Sequence, residues 1–140
     1  MPRDVAPEHA LLRGGACPCL SGDQYADCCA RFHRGEADAP TAEQLMRSRY
    51  SAFAVLDADY LLRTWHSSTR PRSLELDPDV QWRRLDILAV SKGGPLDSEG
   101  VVEFAAHYRS GGERGVQRES SRFVREGKRW YYVAGEVASI

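Results

Sequence analysis

Val101-Val102-Glu103-Phe104-Ala105-Ala106-His107-Tyr108-Arg109 carries large apolar side chains at every second position. A period of two belongs to a strand with one face buried, so Val102, Phe104, Ala106 and Tyr108 are expected to point inward and Glu103, His107 and Arg109 outward. Similar stretches flank it. Residues 82–90 place Leu85, Ile87 and Ala89 on one face, and Gly93-Gly94-Pro95 ends that run. Gly111-Gly112 through Gly115 reads as a hairpin loop, residues 116–125 as a third strand, Glu126-Gly127 as a tight turn and residues 129–134 as a fourth strand. Upstream the period changes. Thr41-Ala42-Glu43-Gln44 fits a capping box, with Thr41 as N-cap and Gln44 reaching back. The helix it opens should run to about Asp57 with Ala42, Leu45, Met46, Ala52, Phe53 and Leu56 on its apolar face. Asp57 or Asp59 then caps a second helix whose stripe is Leu61, Leu62 and Trp65, and Pro71 stops anything longer. Helices followed by a meander of strands make an α+β fold. Two helices packed on one face of a bent antiparallel sheet form a cone whose concave end is a usual place for a pocket.

The composition bounds the function. The chain has 140 residues, 42% apolar and 28% charged, which suits one modest domain with a small appendage. A net charge of −1 argues against a non-specific nucleic-acid binder, so no nucleic-acid partner is expected. Only Lys92 and Lys128 among the 19 basic residues are lysines, a bias read as that of a GC-rich genome. Met1-Pro2-Arg3-Asp4-Val5 opens no apolar leader, and no stretch approaches the roughly 20 apolar residues of a membrane span, so a cytoplasmic location is expected. In that compartment thiols stay reduced, and clustered cysteines read as metal ligands rather than disulfides.

All four cysteines fall in one short segment, Cys17-Pro18-Cys19 and then Cys28-Cys29. Four soft ligands so close together suit a structural Zn²⁺ in a closed tetrahedral shell. Pro18 holds the first two sulfurs near one point, and Gly22 permits the turn behind them. A short helix starting near Asp23 is expected to carry Tyr25, Cys28, Cys29 and Phe32 on one side. His33, four residues past Cys29, is an alternative fourth ligand, and a redox pair at Cys28-Cys29 is the competing reading. A closed shell leaves no position for substrate, so no catalysis is expected at the metal. The expected organisation is a flexible lead-in at 1–16, a zinc module at 17–34, a linker at 35–40 and an α+β domain at 41–136.

Cys17-Pro18-Cys19-Leu20-Ser21-Gly22 with Cys28-Cys29 resembles the SEC-C zinc motif, departing from it at Leu20, where glycine is usual. Leu45-Met46-Arg47-Ser48-Arg49-Tyr50-Ser51-Ala52-Phe53, Asp57-Ala58-Asp59-Tyr60-Leu61, Thr64-Trp65-His66 and Glu119-Ser120-Ser121-Arg122-Phe123 resemble the YchJ-like family of bacterial proteins. The resemblance spans about residues 17–135. It implies a cystatin-like cone of the nuclear-transport-factor-two-like superfamily, with a small zinc-binding module at its N-terminus. It brings no assigned reaction, and the wider fold hosts isomerases, dehydratases and pure binding modules.

Arg49 falls in the middle of the first helix's apolar face, where a guanidinium needs a partner or an opening to water. Glu119 is its candidate partner, and Asp86 a weaker one. The pair would either lock helix to sheet or leave Arg49 as a ligand-binding cation at the mouth of the cone. His66, past the second helix, is a C-terminal cap or a general acid–base. Arg49, Trp65, His66, Tyr108 and Glu119 are therefore the candidate pocket residues. No Asp–His or Glu–His pair is forced by spacing, so no catalytic residue is assigned and enzyme activity stays open. The expected function is a protein-interaction or small-ligand-binding module with structural zinc, as a monomer or homodimer. The alternative is a small lyase, isomerase or hydrolase using the cone, with His66 or Glu119 as base.

Overall fold

A computed structural model of the chain describes residues 15–137. A single 3-10 turn at Tyr25–Asp27 leads into helix α1 (Cys29–His33), followed by α2 (Ala42–Ala54) and α3 (Ala58–Arg63). Four strands follow, β1 (Val80–Lys92), β2 (Glu99–Ser110), β3 (Glu113–Glu126) and β4 (Arg129–Val137). They form one antiparallel meander in the order β1-β2-β3-β4. The α+β architecture expected from the change of period is the one observed. Residues 1–14, where most of the expected lead-in falls, lie outside the described residues.

The caps explain where the helices begin. Thr41 Oγ1 accepts the Gln44 N–H at 3.1 Å, which makes one half of the capping box. Asp57 Oδ1 accepts the Tyr60 N–H at 3.0 Å and opens α3. Helix α2 stops at Ala54 rather than near Asp57, because Leu56 adopts φ +61° and turns the chain sharply into that second cap. Leu56 therefore leaves the apolar face and is 36% exposed. Helix α3 has only six residues, too few to persist alone, since isolated helices shorter than about 12–15 residues are marginal in water. Burial holds it. Tyr60 and Leu61 join Leu45, Met46, Val102, Phe104, Phe123 and Trp130 in the main core.

The sheet departs from strict alternation where it must bend. Irregular register between Trp82 and Arg84 brings Trp82 to the core side with Leu85 and Ile87. A second one between Ile87 and Ala89 returns Ala89 to the exposed side, so the expectation that it shares the face of Leu85 and Ile87 is corrected. The β2–β3 loop is only Gly111-Gly112, at φ +59° and +84°, and Glu113 to Gly115 belong to β3. On the outer face, His107 Nε2 meets Asp86 Oδ2 at 3.0 Å and Arg84 Nη2 donates to the same carboxylate at 3.1 Å. This group holds Asp86 below the ordinary carboxylate range, chiefly through the His107 hydrogen bond.

Helix and sheet come close together at the start of α2. The Ala42 N–H donates to Gly93 O at 2.9 Å. A Cβ on Gly100 would lie 2.5 Å from the Gly93 Cα and 3.3 Å from the Ala42 Cβ. The cysteine segment is fastened to the same helix. Arg47 Nη1 donates to Cys19 O at 2.9 Å, and Arg63 of α3 donates to the carbonyls of Phe32 and His33. Within the segment, Leu20 takes φ +65°, the left-handed conformation for which glycine is suited.

Two substitutions test this packing. Gly100→Ala should cost about 1–3 kcal/mol, because backbone cannot yield as a side-chain tip does; an unchanged urea midpoint would show that the contact is not tight. Leu20→Gly removes a left-handed penalty of roughly 1–2 kcal/mol and adds about 0.5–1 kcal/mol of chain entropy. The midpoint should therefore rise slightly, and a clear fall would refute strain at Leu20.

Candidate metal centre and cavity

The Cys17 N–H donates to Asp23 O at 2.9 Å and the Leu20 N–H to Cys17 O at 3.0 Å. These bonds curl residues 17–23 so that Cys17 and Cys19 face the same way. The chain then breaks at Cys28, with φ −124° and ψ −108°, between the 3-10 turn and α1. The expected continuous helix over Tyr25 to Phe32 is thus corrected to a turn, a kink and one further turn. The kink lets adjacent cysteines aim at one point, which a regular helix at 100° per residue would not do.

The ligand atoms of Cys17, Cys19, Cys28 and Cys29 all lie within 4.8 Å of one another. Cys19 Sγ is 3.6 Å from Cys28 Sγ, and Cys28 Sγ is 4.0 Å from Cys29 Sγ. Metal–sulfur bonds of about 2.3 Å in a tetrahedron place the sulfurs about 3.8 Å apart, so the quartet fits a tetrahedral cation. His33 is engaged elsewhere. Its Nε2–H donates to Ser48 O at 2.9 Å and its Nδ1 lies 2.5 Å from the Tyr25 hydroxyl. Cys29, not His33, supplies the fourth atom of the cluster.

The sulfurs have polar support that sequence reasoning did not find. Ser51 Oγ of α2 donates to Cys29 Sγ at 3.3 Å and lies 3.5 Å from Cys17 Sγ, and Ser21 Oγ is 3.2 Å from Cys28 Sγ. Hydroxyls aimed at thiolates orient metal ligands. The hint in the sequence is a serine among the apolar positions of that helix. Hydrogen bonds from Cys19 and Cys29 draw the Cys17 thiol far below its ordinary range, while Cys17 raises Cys19 to about 12 and raises Cys29 as well. Bare sulfurs this close resist shared negative charge, and a cation relieves it.

On the other side of α2 a cavity of about 170 Å³ opens between helices and sheet. Arg49, Trp65 and Glu119 line it, with Tyr50, Phe53, Trp82, Gln117 and Tyr132 among the other walls. Three of the five candidate pocket residues are thus brought together. His66 and Tyr108 are not among the lining residues. His66 Nε2 contacts Glu126 Oε2 at 2.6 Å, a Glu–His pair that spacing did not reveal. Tyr108 lies beyond Trp82, their ring centres 5.4 Å apart, beside a neighbouring open recess.

Arg49 is 4% exposed, and among the described residues no carboxylate comes within 4.0 Å of it. The expected ion pair with Glu119 is not made, and Asp86 points to the outer face. Instead Arg49 Nη1 donates to Leu61 O at 2.8 Å and to Thr64 Oγ1 at 2.7 Å. The guanidinium stacks 4.5 Å from the ring centre of Tyr132 and 5.3 Å from that of Trp65. Burial pulls its pKa down to about 10. Glu119 accepts a hydrogen bond from Gln117 Nε2. A Cβ on Gly135 would stand 2.6 Å from Glu119 Oε1, 3.0 Å from Ser121 Oγ and 3.2 Å from the Tyr132 hydroxyl, so these oxygens converge where β4 presents bare backbone.

Comparison with known proteins agrees with both halves. The family described as "YchJ, middle NTF2-like domain" matches residues 41–135, and the SEC-C motif matches residues 16–31. A UPF0225 protein of Corynebacterium glutamicum is 52% identical over 124 residues, covering 89% of this chain and 98% of that protein. A UPF0225 protein of Chromobacterium violaceum is 52% identical over 127 residues, covering 88% and 93%. The solution structure of a SEC-C motif containing protein from Rhodopseudomonas palustris superposes with a TM-score of 0.75 at 34% identity, over 88% of this chain and 98% of that one. The crystal structure of a SEC-C motif containing protein from Psychrobacter arcticus gives a TM-score of 0.69 at 26% identity, over 89% and 83%. No helix among the described residues is long and apolar enough to cross a membrane. This chain therefore belongs to the YchJ-like UPF0225 family, in which a SEC-C motif stands before an NTF2-like domain.

Proposed function

We propose that the protein is a cytoplasmic small-ligand-binding module whose cysteine segment is closed by a structural Zn²⁺. Cys17, Cys19, Cys28 and Cys29 would hold the ion, with Ser51 and Ser21 as hydroxyl partners to the sulfurs. The ion supplies a fixed tetrahedral crosslink, which suits a segment too short to bury a core of its own. Four cysteine ligands leave no open position on the metal, so recognition is assigned to the cavity. The zinc segment remains a candidate docking surface for a protein partner. The single observation that carries the cavity reading is Arg49, a buried cation with no carboxylate partner among the described residues, on an aromatic cavity. Arg49, Trp65 and Glu119 are its assigned contact residues; His66 and Tyr108 are assigned none, since neither lines it.

A second reading has support in one arrangement. Glu119, positioned by Gln117 and near the Tyr132 hydroxyl, faces the same cavity as Arg49. A carboxylate and a cation in an apolar cavity are what a small lyase or isomerase needs, with Glu119 as base. Turnover in an activity screen that Glu119→Gln abolishes would favour this enzyme.

The metal is tested by elemental analysis of protein purified without tags that bind metal. One zinc per chain is expected, and a strong chelator or Cys29→Ser should lower Tm. Metal-free protein carrying an oxidised Cys28-Cys29 pair would replace the zinc account with a redox one. For the cavity, benzene-sized fragments should shift the indole N–H resonances of Trp65 and Trp82. Ala106→Leu, which narrows the cavity, should reduce those shifts. If no fragment moves either resonance, the cavity is not a binding site.

A further inference from the structure

The cavity carries two chemically different polar groups on its wall, and their chemistry restricts what can fill it. In the first, Arg49 uses only Nη1 in hydrogen bonds to the protein. Its Nε and Nη2 have no such partner, yet no buried side-chain nitrogen or oxygen among the described residues is left unsatisfied. Those two nitrogens therefore each keep some accessible surface, and the cavity is the open space that Arg49 lines. Nε and Nη2 form one edge of the guanidinium, the edge that takes a carboxylate by two parallel bonds. In the second stand Glu119 Oε1, Ser121 Oγ and the Tyr132 hydroxyl around Gly135. Tyr132 belongs to both groups, since Arg49 stacks over its ring while its hydroxyl and Glu119 Oε1 both stand beside the Gly135 position. The walls between are aromatic and methionine side chains. A volume near 170 Å³ is close to the roughly 150 Å³ of a cavity that accommodates benzene.

Resting on the reading of this cavity as the ligand site, we propose that it takes a single-ring aromatic acid, its carboxylate on the Nε–Nη2 edge of Arg49 and a hydroxyl or amino group donating to Glu119. A carboxylate supplies the counter-charge that the protein withholds from Arg49. The planar ring matches the aromatic walls and brings little rotamer entropy. Glu119 has no proton to give when ionised, so its complement is a donor, and an acidic group there would be repelled. Inorganic phosphate shares the affinity for Arg49 but loses its hydration without filling the apolar length.

The test uses full-length, metal-loaded protein labelled with ¹⁵N, titrated separately with benzoate, benzamide, 4-hydroxybenzoate and inorganic phosphate. Benzoate and benzamide have the same shape and differ in charge. Benzoate should bind at least tenfold more tightly than benzamide and shift the Trp65 indole. 4-Hydroxybenzoate should bind several-fold more tightly again and shift the Gly135 amide, and Glu119→Gln should remove that gain. Arg49→Lys, which keeps the charge and loses the fork, should weaken benzoate at least tenfold. Because a buried arginine variant can fail to fold, the benzoate–benzamide ratio on the unaltered protein decides the point. Equal affinity for the two refutes an acid ligand while leaving a ligand cavity in place. Phosphate binding more tightly than benzoate refutes the aromatic acid. A hydroxyl that brings no gain refutes the role given to Glu119. No shift with any probe removes both the acid and the cavity reading.

Discussion

Helix α2 is buried around most of its circumference, and a buried helix must find a partner for every polar group it carries. Ser48, Arg49 and Ser51 are all at most 4% exposed. Each is engaged by a different part of the molecule. Ser48 Oγ donates to Leu45 O at 2.8 Å and meets the Tyr60 hydroxyl of α3 at 2.7 Å. Ser51 turns to the cysteine sulfurs. Arg49 reaches the end of α3 and the ring of Tyr132 on β4. Helix α3, the metal segment and the sheet are thereby all referenced to one helix. Burial of apolar area sets how strongly they adhere, and these directional contacts set where.

The cysteine segment and the cavity consequently share a wall. Ser51 of α2 touches the sulfurs, and Arg49, Tyr50 and Phe53, all within two positions of it, line the cavity. The segment is not a bead on a tether. The carbonyls of Cys19, Phe32 and His33 accept from Arg47 and Arg63, and His33 donates to Ser48 O. A cation held by the four cysteines would crosslink this segment and stiffen the helix that presents Arg49.

Some elements were legible because their cause is local. The Thr41 cap, the Asp57 cap and the pattern Val102, Phe104, Ala106 each depend on residues within a few positions of one another. The cysteine quartet was legible for the same reason, since four sulfurs in so short a stretch have few ways to avoid each other. Errors came where a distant contact outweighed a local rule. Ala89 was assigned inward because alternation has no term for a bulge. The kink at Cys28 interrupts a helix that spacing favours, because it lets two neighbouring sulfurs converge. Charge alone matches Glu119 to Arg49, but a carbonyl and a threonine hydroxyl take up its Nη1 and two aromatic rings pack against the guanidinium. His66 was placed near the pocket by its position after α3, yet the chain stitches there to β4, the His66 N–H donating to Tyr132 O at 2.7 Å, and the imidazole turns to Glu126.

Periodicity, caps and cysteine spacing by themselves determined the class of fold, the order of its elements and which four sulfurs gather at one point, because each follows from side chains a few residues apart. Only the tertiary structure decided that Arg49 meets no carboxylate among the described residues and lines an aromatic cavity, and that Ser51 faces the sulfurs. Those outcomes depend on which strands and helices meet, and a buried charge takes its partner from whatever geometry brings within 3 Å rather than from the nearest opposite sign in the chain.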